Sequence, residues 1–300
     1  MSDTPDLETE RRRPELTDID LASTGELVAM MVEEDKLVPS AVERAAGPIA
    51  EAIDAVVERL RRGGRLIYVG AGTAGRLGVM DAVECGPTFS TPPGQVVGVV
   101  AGGEGALSAA VEGAEDRPQD GVAAIDGLGV GADDAVVAIT ASGRTPFVVG
   151  AVERARALGA ATVGVSCNPG AALSARVDHA IEVVTGPELI AGSTRLKAGT
   201  AHKLVLNMIS TISMIRLGKT YGNLMVELRA SNDKLRLRAV RIVQEATGAD
   251  RAEAARALVA ADGDVKTAIV MIGRGVGAAE AKQRLARAGA NLRSALESGS

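Results

Sequence analysis

Two short stretches of this sequence carry the residues best suited to chemistry. The first, LIYVGAGTAGRLG at 66–78, runs four β-forming residues into Gly70, Gly72 and Gly75, with Thr73 among them. The second, Thr140, Ala141, Ser142, Gly143, Arg144 and Thr145, follows another apolar run and supplies hydroxyls, a glycine and a guanidinium. Each reads as a buried strand that turns into a helix start. Helix starts attract anions, because their first amides have no intrahelical partner and the macrodipole is positive there. Ser142 and Thr145 are also ordinary capping types, so either loop alone means little. Together they favour a ligand whose phosphate is gripped from two sides.

The remaining reactive residues narrow the chemistry. Gly70, Gly72 and Gly75 match the dinucleotide spacing, but the acidic residue expected about 20 positions on is missing. Ser90 and Thr91 lie there, and the next carboxylate is Glu104. This disfavours a dehydrogenase. Two histidines, His179 and His202, leave little for a zinc site or a Ser-His-Asp triad. An acid and a base would then be carboxylates near the carboxyl edge of the sheet: Glu84, Glu112, Glu115 or Asp116.

Composition sets outer limits. Three hundred residues, 46% of them apolar, suffice for one large α/β core and a smaller satellite. Aromatics at 1% and a net charge of -5 argue against a nucleic-acid partner. Cys85 and Cys167 are too few for a disulfide framework and fit a reducing cytoplasm. The N-terminus is polar and acidic, unlike a signal peptide, and no apolar run reaches the roughly 18 residues of a membrane span.

These residues need elements to hold them. Residues 1–17 lack periodicity and are expected to be a flexible N-terminus. Residues 18–62 read as two amphipathic helices, the first with Ser23 and Thr24 as caps and the second from about Ala41 to Arg62. From 63 to 225, five apolar runs alternate with helical patterns. That predicts a five-stranded parallel sheet with helices on both faces. A long helix from about Ser193 to Leu217 is apolar over much of its circumference and suits a core or a subunit interface. Residues 226–300 read as C-terminal helices ending in a small three-helix, UBA-like appendage, with Ala278–Ala295 as one helix.

GAGTAGRLG, DAVECGPTF, VEGAED, TASGRTP and GPELIAGSTRLKAGTAHKLVLNM, in that order, resemble the sugar isomerase (SIS) domain of the N-acetylmuramic acid 6-phosphate etherases, relatives of glucokinase regulatory protein. The resemblance spans about Leu16 to Met271. It implies a flavodoxin-like SIS fold and a lyase that uses water to split a lactyl ether from a phosphosugar. It also implies a homodimer, no metal and no organic cofactor. On the matching positions it makes Glu84 the proton donor and Glu115 the second catalytic glutamate. Gly72, Thr73, Ser142, Gly143, Arg144 and Thr145 fall in the phosphate loops, and Glu188, Ser193 and Lys197 in the signature that approaches the sugar. The chain departs from the pattern at Ala74, where serine is usual, and at His202, where glutamine is common. A phosphosugar aldose-ketose isomerase or a non-catalytic sugar-phosphate sensor would use the same loops.

Overall fold

In a computed structural model, which describes residues 7–228 and 233–297, the five apolar runs are β1 (Leu66–Gly70), β2 (Val96–Val100), β3 (Ala135–Ile139), β4 (Ala161–Ser166) and β5 (His179–Glu182). They pair in parallel in the order β2-β1-β3-β4-β5. Every residue of β1, β3 and β4 is buried. Their continuous Val, Ile and Ala runs, without polar alternation, follow from that burial on both faces.

The helices before the sheet are α1 (Thr24–Asp35), α2 (Leu37–Arg44) and α3 (Ala46–Arg61). Ser23 and Glu26 form a reciprocal capping box at the start of α1. The single helix expected over 41–62 is instead two, broken at Ala45. The crossover helices are α4 (Gly72–Phe89), the short α5 (Gly105–Ser108), α6 (Pro118–Gly127) and α7 (Pro146–Ala157), and α8 (Lys197–Arg216) follows the sheet.

Alternate strand residues point to opposite helical layers. Ile67, Val69, Val136 and Ala138 pack with Phe147, Val148 and Val152 of α7 and with Ile125 of α6. Tyr68, on the other face, donates its hydroxyl to Asp81 of α4 at 2.8 Å. Asp81 also accepts from Asn207 of α8 at 2.6 Å and from Ser210 at 3.1 Å. Burial pushes the Asp81 carboxyl above its ordinary range, although these three donors and the Lys203 charge favour its ionised form.

The chain divides into two compact units, residues 1–83 with 94–210 and residues 84–93 with 211–300. Both α4 and α8 begin in the first unit and end in the second, so the boundary expected near 225 runs through two helices. The second unit holds α9 (Asp233–Thr247), α10 (Arg251–Ala260), α11 (Val265–Arg274), α12 (Ala278–Arg287) and α13 (Leu292–Glu297). Val243, Leu258, Ile269, Leu285 and Leu292 form its own core. α12 and α13 replace the expected continuous helix because Gly289 and Ala290 adopt φ 60° and 61°, left-handed conformations no helix interior accepts. Among the described residues, no helix is long and apolar enough to cross a membrane.

Candidate active site

In an open parallel sheet, ligands sit outside the carboxyl ends of the strands where the strand order reverses. Here the reversal falls between β1 and β3. The loops leaving those strands are the two glycine- and hydroxyl-rich turns. A Cβ on Gly70 would lie 2.6 Å from the Gly75 nitrogen, and one on Gly75 would lie 2.6 Å from the Gly70 oxygen. Only glycine at both positions lets β1 turn into α4 so tightly. Gly143 takes φ 70°, and a Cβ there would meet the Ala171 side chain at 2.4 Å. In the same loop, the Thr140 hydroxyl lies 2.7 Å from that of Thr145, and Ser142 Oγ accepts the Arg144 amide at 3.2 Å.

The two turns open into one cavity of about 600 Å³. Gly72, Thr73, Ser142, Arg144, Thr145, Ser193 and Glu115 all line it, with Asp116 beside Glu115. Ala74 lines it too and contributes no hydroxyl. A second cavity of about 310 Å³ shares Gly72, Arg76 and Glu115 with the first. Glu112 lines only this second space. The chemical content is therefore two helix starts and a set of hydroxyls able to hold a phosphate, with Glu115 as a carboxylate able to move a proton beside it.

Four sequence candidates stand elsewhere. Gly143 shapes its turn without lining the cavity. Glu84 is an exposed residue three turns into α4, and it does not line the cavity. Glu188 is 1% exposed, and its two carboxylate oxygens accept the Lys197 and Ala198 amides at 3.0 Å each. It caps α8 from a distance in sequence, which is structural work at a helix start. Lys197 is also buried and reaches Glu34 of α1 at 2.5 Å, and Glu34 pairs with Arg13 as well. Burial opposes ionisation of Glu34, but its bonds to Lys197 and Arg13 outweigh that and hold its carboxyl below the usual range.

Four ionisable residues of the cavity were given no site role by the sequence: Glu10, Arg76, Arg195 and His202. Glu10 arrives on a segment expected to be flexible. Thr9 beside it is fully buried: its amide donates to Asn168 Oδ1 at 3.3 Å and its hydroxyl accepts from Asn168 Nδ2 at 3.0 Å. The Thr9 carbonyl accepts the Gly192 amide at 3.2 Å. Arg76 had a legible signal, since it stands on the second turn of the helix whose start faces the cavity. His202 is 1% exposed, with Nε2 3.5 Å from the Cys167 thiol. Burial pushes its imidazole down to about 4, so it is neutral at physiological pH. Burial and the Glu188 charge push the Cys167 thiol up, and it stays protonated.

Comparison with known proteins agrees with this geometry. Residues 48–156 match the N-terminal SIS domain of glucokinase regulatory protein, 120–211 the SIS domain, and 222–266 the C-terminal lid domain of glucokinase regulatory protein. Among solved structures, a phosphoheptose isomerase from Francisella tularensis superposes with a TM-score of 0.50 at 21% identity, covering 65% of this chain and all of that one (100%), a likeness of fold. An N-acetylmuramic acid 6-phosphate etherase from Rubrobacter xylanophilus is 63% identical, covering 98% of this chain and 97% of its own. One from Streptomyces coelicolor is 60% identical, covering 97% and 93%. At that identity over nearly its whole length, the chain belongs to the N-acetylmuramic acid 6-phosphate etherase family.

Proposed function

We propose that this chain cleaves the D-lactyl ether of N-acetylmuramic acid 6-phosphate with water, giving N-acetylglucosamine 6-phosphate and D-lactate, by elimination followed by hydration. The observation that carries the reading is one cavity lined at once by both phosphate turns and by Glu115. With the phosphate held at Thr73, Ser142 and Thr145 and the sugar ring open, the C2 hydrogen lies next to the C1 aldehyde and is acidic enough for a carboxylate to remove. Glu115 takes that proton. The ether oxygen on C3 leaves with a proton from a general acid, and water then adds to the unsaturated intermediate. Each such proton transfer contributes about 10² to 10⁴ in rate. Release of lactate distinguishes this reading from an isomerase, which releases none.

Glu84 supplies the acid from a second copy of the chain. Met80, Val83 and Glu84 share a face of α4 at i, i+3, i+4 spacing, and the two apolar residues are 49% and 65% exposed. On α8, Met208, Ile212 and Ile215 form another exposed apolar stripe. Such faces suit a homodimer in the cytoplasm, with Glu84 of one protomer delivered to the cavity of its partner. Complementation tests the arrangement. Purified E84Q and E115Q are each expected to release almost no D-lactate, while a co-expressed mixture regains activity through dimers that pair an intact Glu84 with an intact Glu115. A mixture as inactive as its parts would place both glutamates in one protomer's site or remove Glu84 from the mechanism.

A further inference from the structure

Of the cavity features left unused above, Arg76 connects the two spaces. Its Nε donates to the Ala106 carbonyl at 2.8 Å and its Nη2 to the Ala109 carbonyl at 3.0 Å. A guanidinium has five N–H donors, so both Nη1 protons and one on Nη2 remain. Among the described residues Arg76 has no carboxylate partner, and it is the one cation lining the smaller cavity. The walls of that cavity are otherwise mostly small and apolar, with Ala101, Ala106, Val111 and Ala114, and Glu112 is exposed at its edge. Glu115 stands with Arg76 where the two cavities join.

The substrate of the proposed reaction has the same two-part form. Its phosphate is on one end of the sugar, and a short branched acid, with one methyl and one carboxylate, leaves from the atom next to the acidic C–H. A base on that C–H works one carbon away from the departing ether, and Glu115 lines both cavities. We propose that the smaller cavity is the subsite for the leaving acid, with Arg76 holding its carboxylate and the alanine wall taking its methyl. Arg76 is then a specificity residue that distinguishes an ether carrying a carboxylate from one that does not. It makes this contact in ground and transition states alike, so it acts on KM more than on kcat. Its bonds to Ala106 and Ala109 give it a second duty, steadying the loop that leads to Glu115.

The assignment rests on the etherase reading, and the test separates the two. Turnover is measured on N-acetylmuramic acid 6-phosphate and on its analogue with the lactyl carboxylate converted to a primary carboxamide, using the full chain and its R76M and R76K variants. Release of lactate and of lactamide by the unsubstituted chain establishes the reaction whatever Arg76 does. R76M is expected to raise KM for the acid about 10- to 100-fold relative to its effect on the amide, the size of a lost charge-assisted hydrogen bond. R76K should recover part of that preference, since it keeps the charge and loses the fork. Inhibition by D-lactate should weaken in parallel. Where R76M turns over neither compound, calorimetric binding of both to R76M/E115Q gives the same ratio. Equal losses on acid and amide, or unchanged inhibition by D-lactate, would overturn the subsite and leave Arg76 a loop clamp.

Discussion

The starts of α4 and α8 offer the same unpaired amides and the same positive dipole end, yet one is left open and the other is filled. At α4 the glycines bring β1 close, Thr73 stands at the opening, and the turn faces a cavity of about 600 Å³. At α8 the buried Glu188 carboxylate takes the Lys197 and Ala198 amides. Identical local physics thus yields an open, cavity-facing start at α4, whose amides no carboxylate among the described residues takes, and a fixed joint at α8, where Glu188 takes them. A polar motif beside a helix start is therefore no guide to binding until burial and partners are known.

Substitution at the two starts should have opposite consequences. Glu188→Ala leaves two buried amides without an acceptor and should lower stability by about 2–3 kcal/mol, read from a urea midpoint, with phosphosugar KM changed little in the protein that remains folded. Thr73→Val should leave that midpoint within about 0.5 kcal/mol and raise KM for the phosphosugar about tenfold or more. If both variants lost stability equally, the contrast between an open and a filled start would fail.

A smaller effect follows pH. The folded state holds the His202 imidazole below its ordinary 6.5, down to about 4, so it favours the neutral ring. The stability this contributes is complete above the ordinary value and is lost as pH falls from 6.5 toward 4. Glu34, held low by Lys197 and Arg13, adds a loss beginning below its ordinary 4.5. Urea midpoints between pH 7 and 4.5 should therefore decline, and H202Q should flatten that decline; an unchanged slope in H202Q would show that the ring does not govern it.

Local pattern made the sheet and its two cavity-lining turns legible, and among the four carboxylates it left open the family motif singled out Glu115, which lines the same cavity. Strand composition reports burial directly, and Gly70 and Gly75 are demanded by the backbone's own closeness. What was not legible depends on contacts distant in sequence. Glu10 is placed by Thr9 and Asn168, 159 residues apart, so a segment with no periodicity of its own is nonetheless anchored. Lys197 falls inside the most distinctive motif but is consumed by Glu34 on α1, 163 residues away. Glu84 matched its motif too, but its exposed place on α4 lies outside the cavity lining, and the role proposed for it requires a second copy. The helix breaks at Ala45 and Ala290 had local signals that were passed over, Gly47-Pro48 in the first turn after one and Gly289 at φ 60° beside the other.

The central claim is that Glu115 removes the C2 hydrogen of a phosphosugar held by the two turns. Turnover of N-acetylmuramic acid 6-phosphate in D₂O tests it most directly, with the product examined by NMR at C2. Deuterium at C2 in every product molecule, with E115Q still binding the sugar phosphate but releasing no lactate, is the predicted result. A product that keeps its original C2 hydrogen, or full turnover by E115Q, would contradict it.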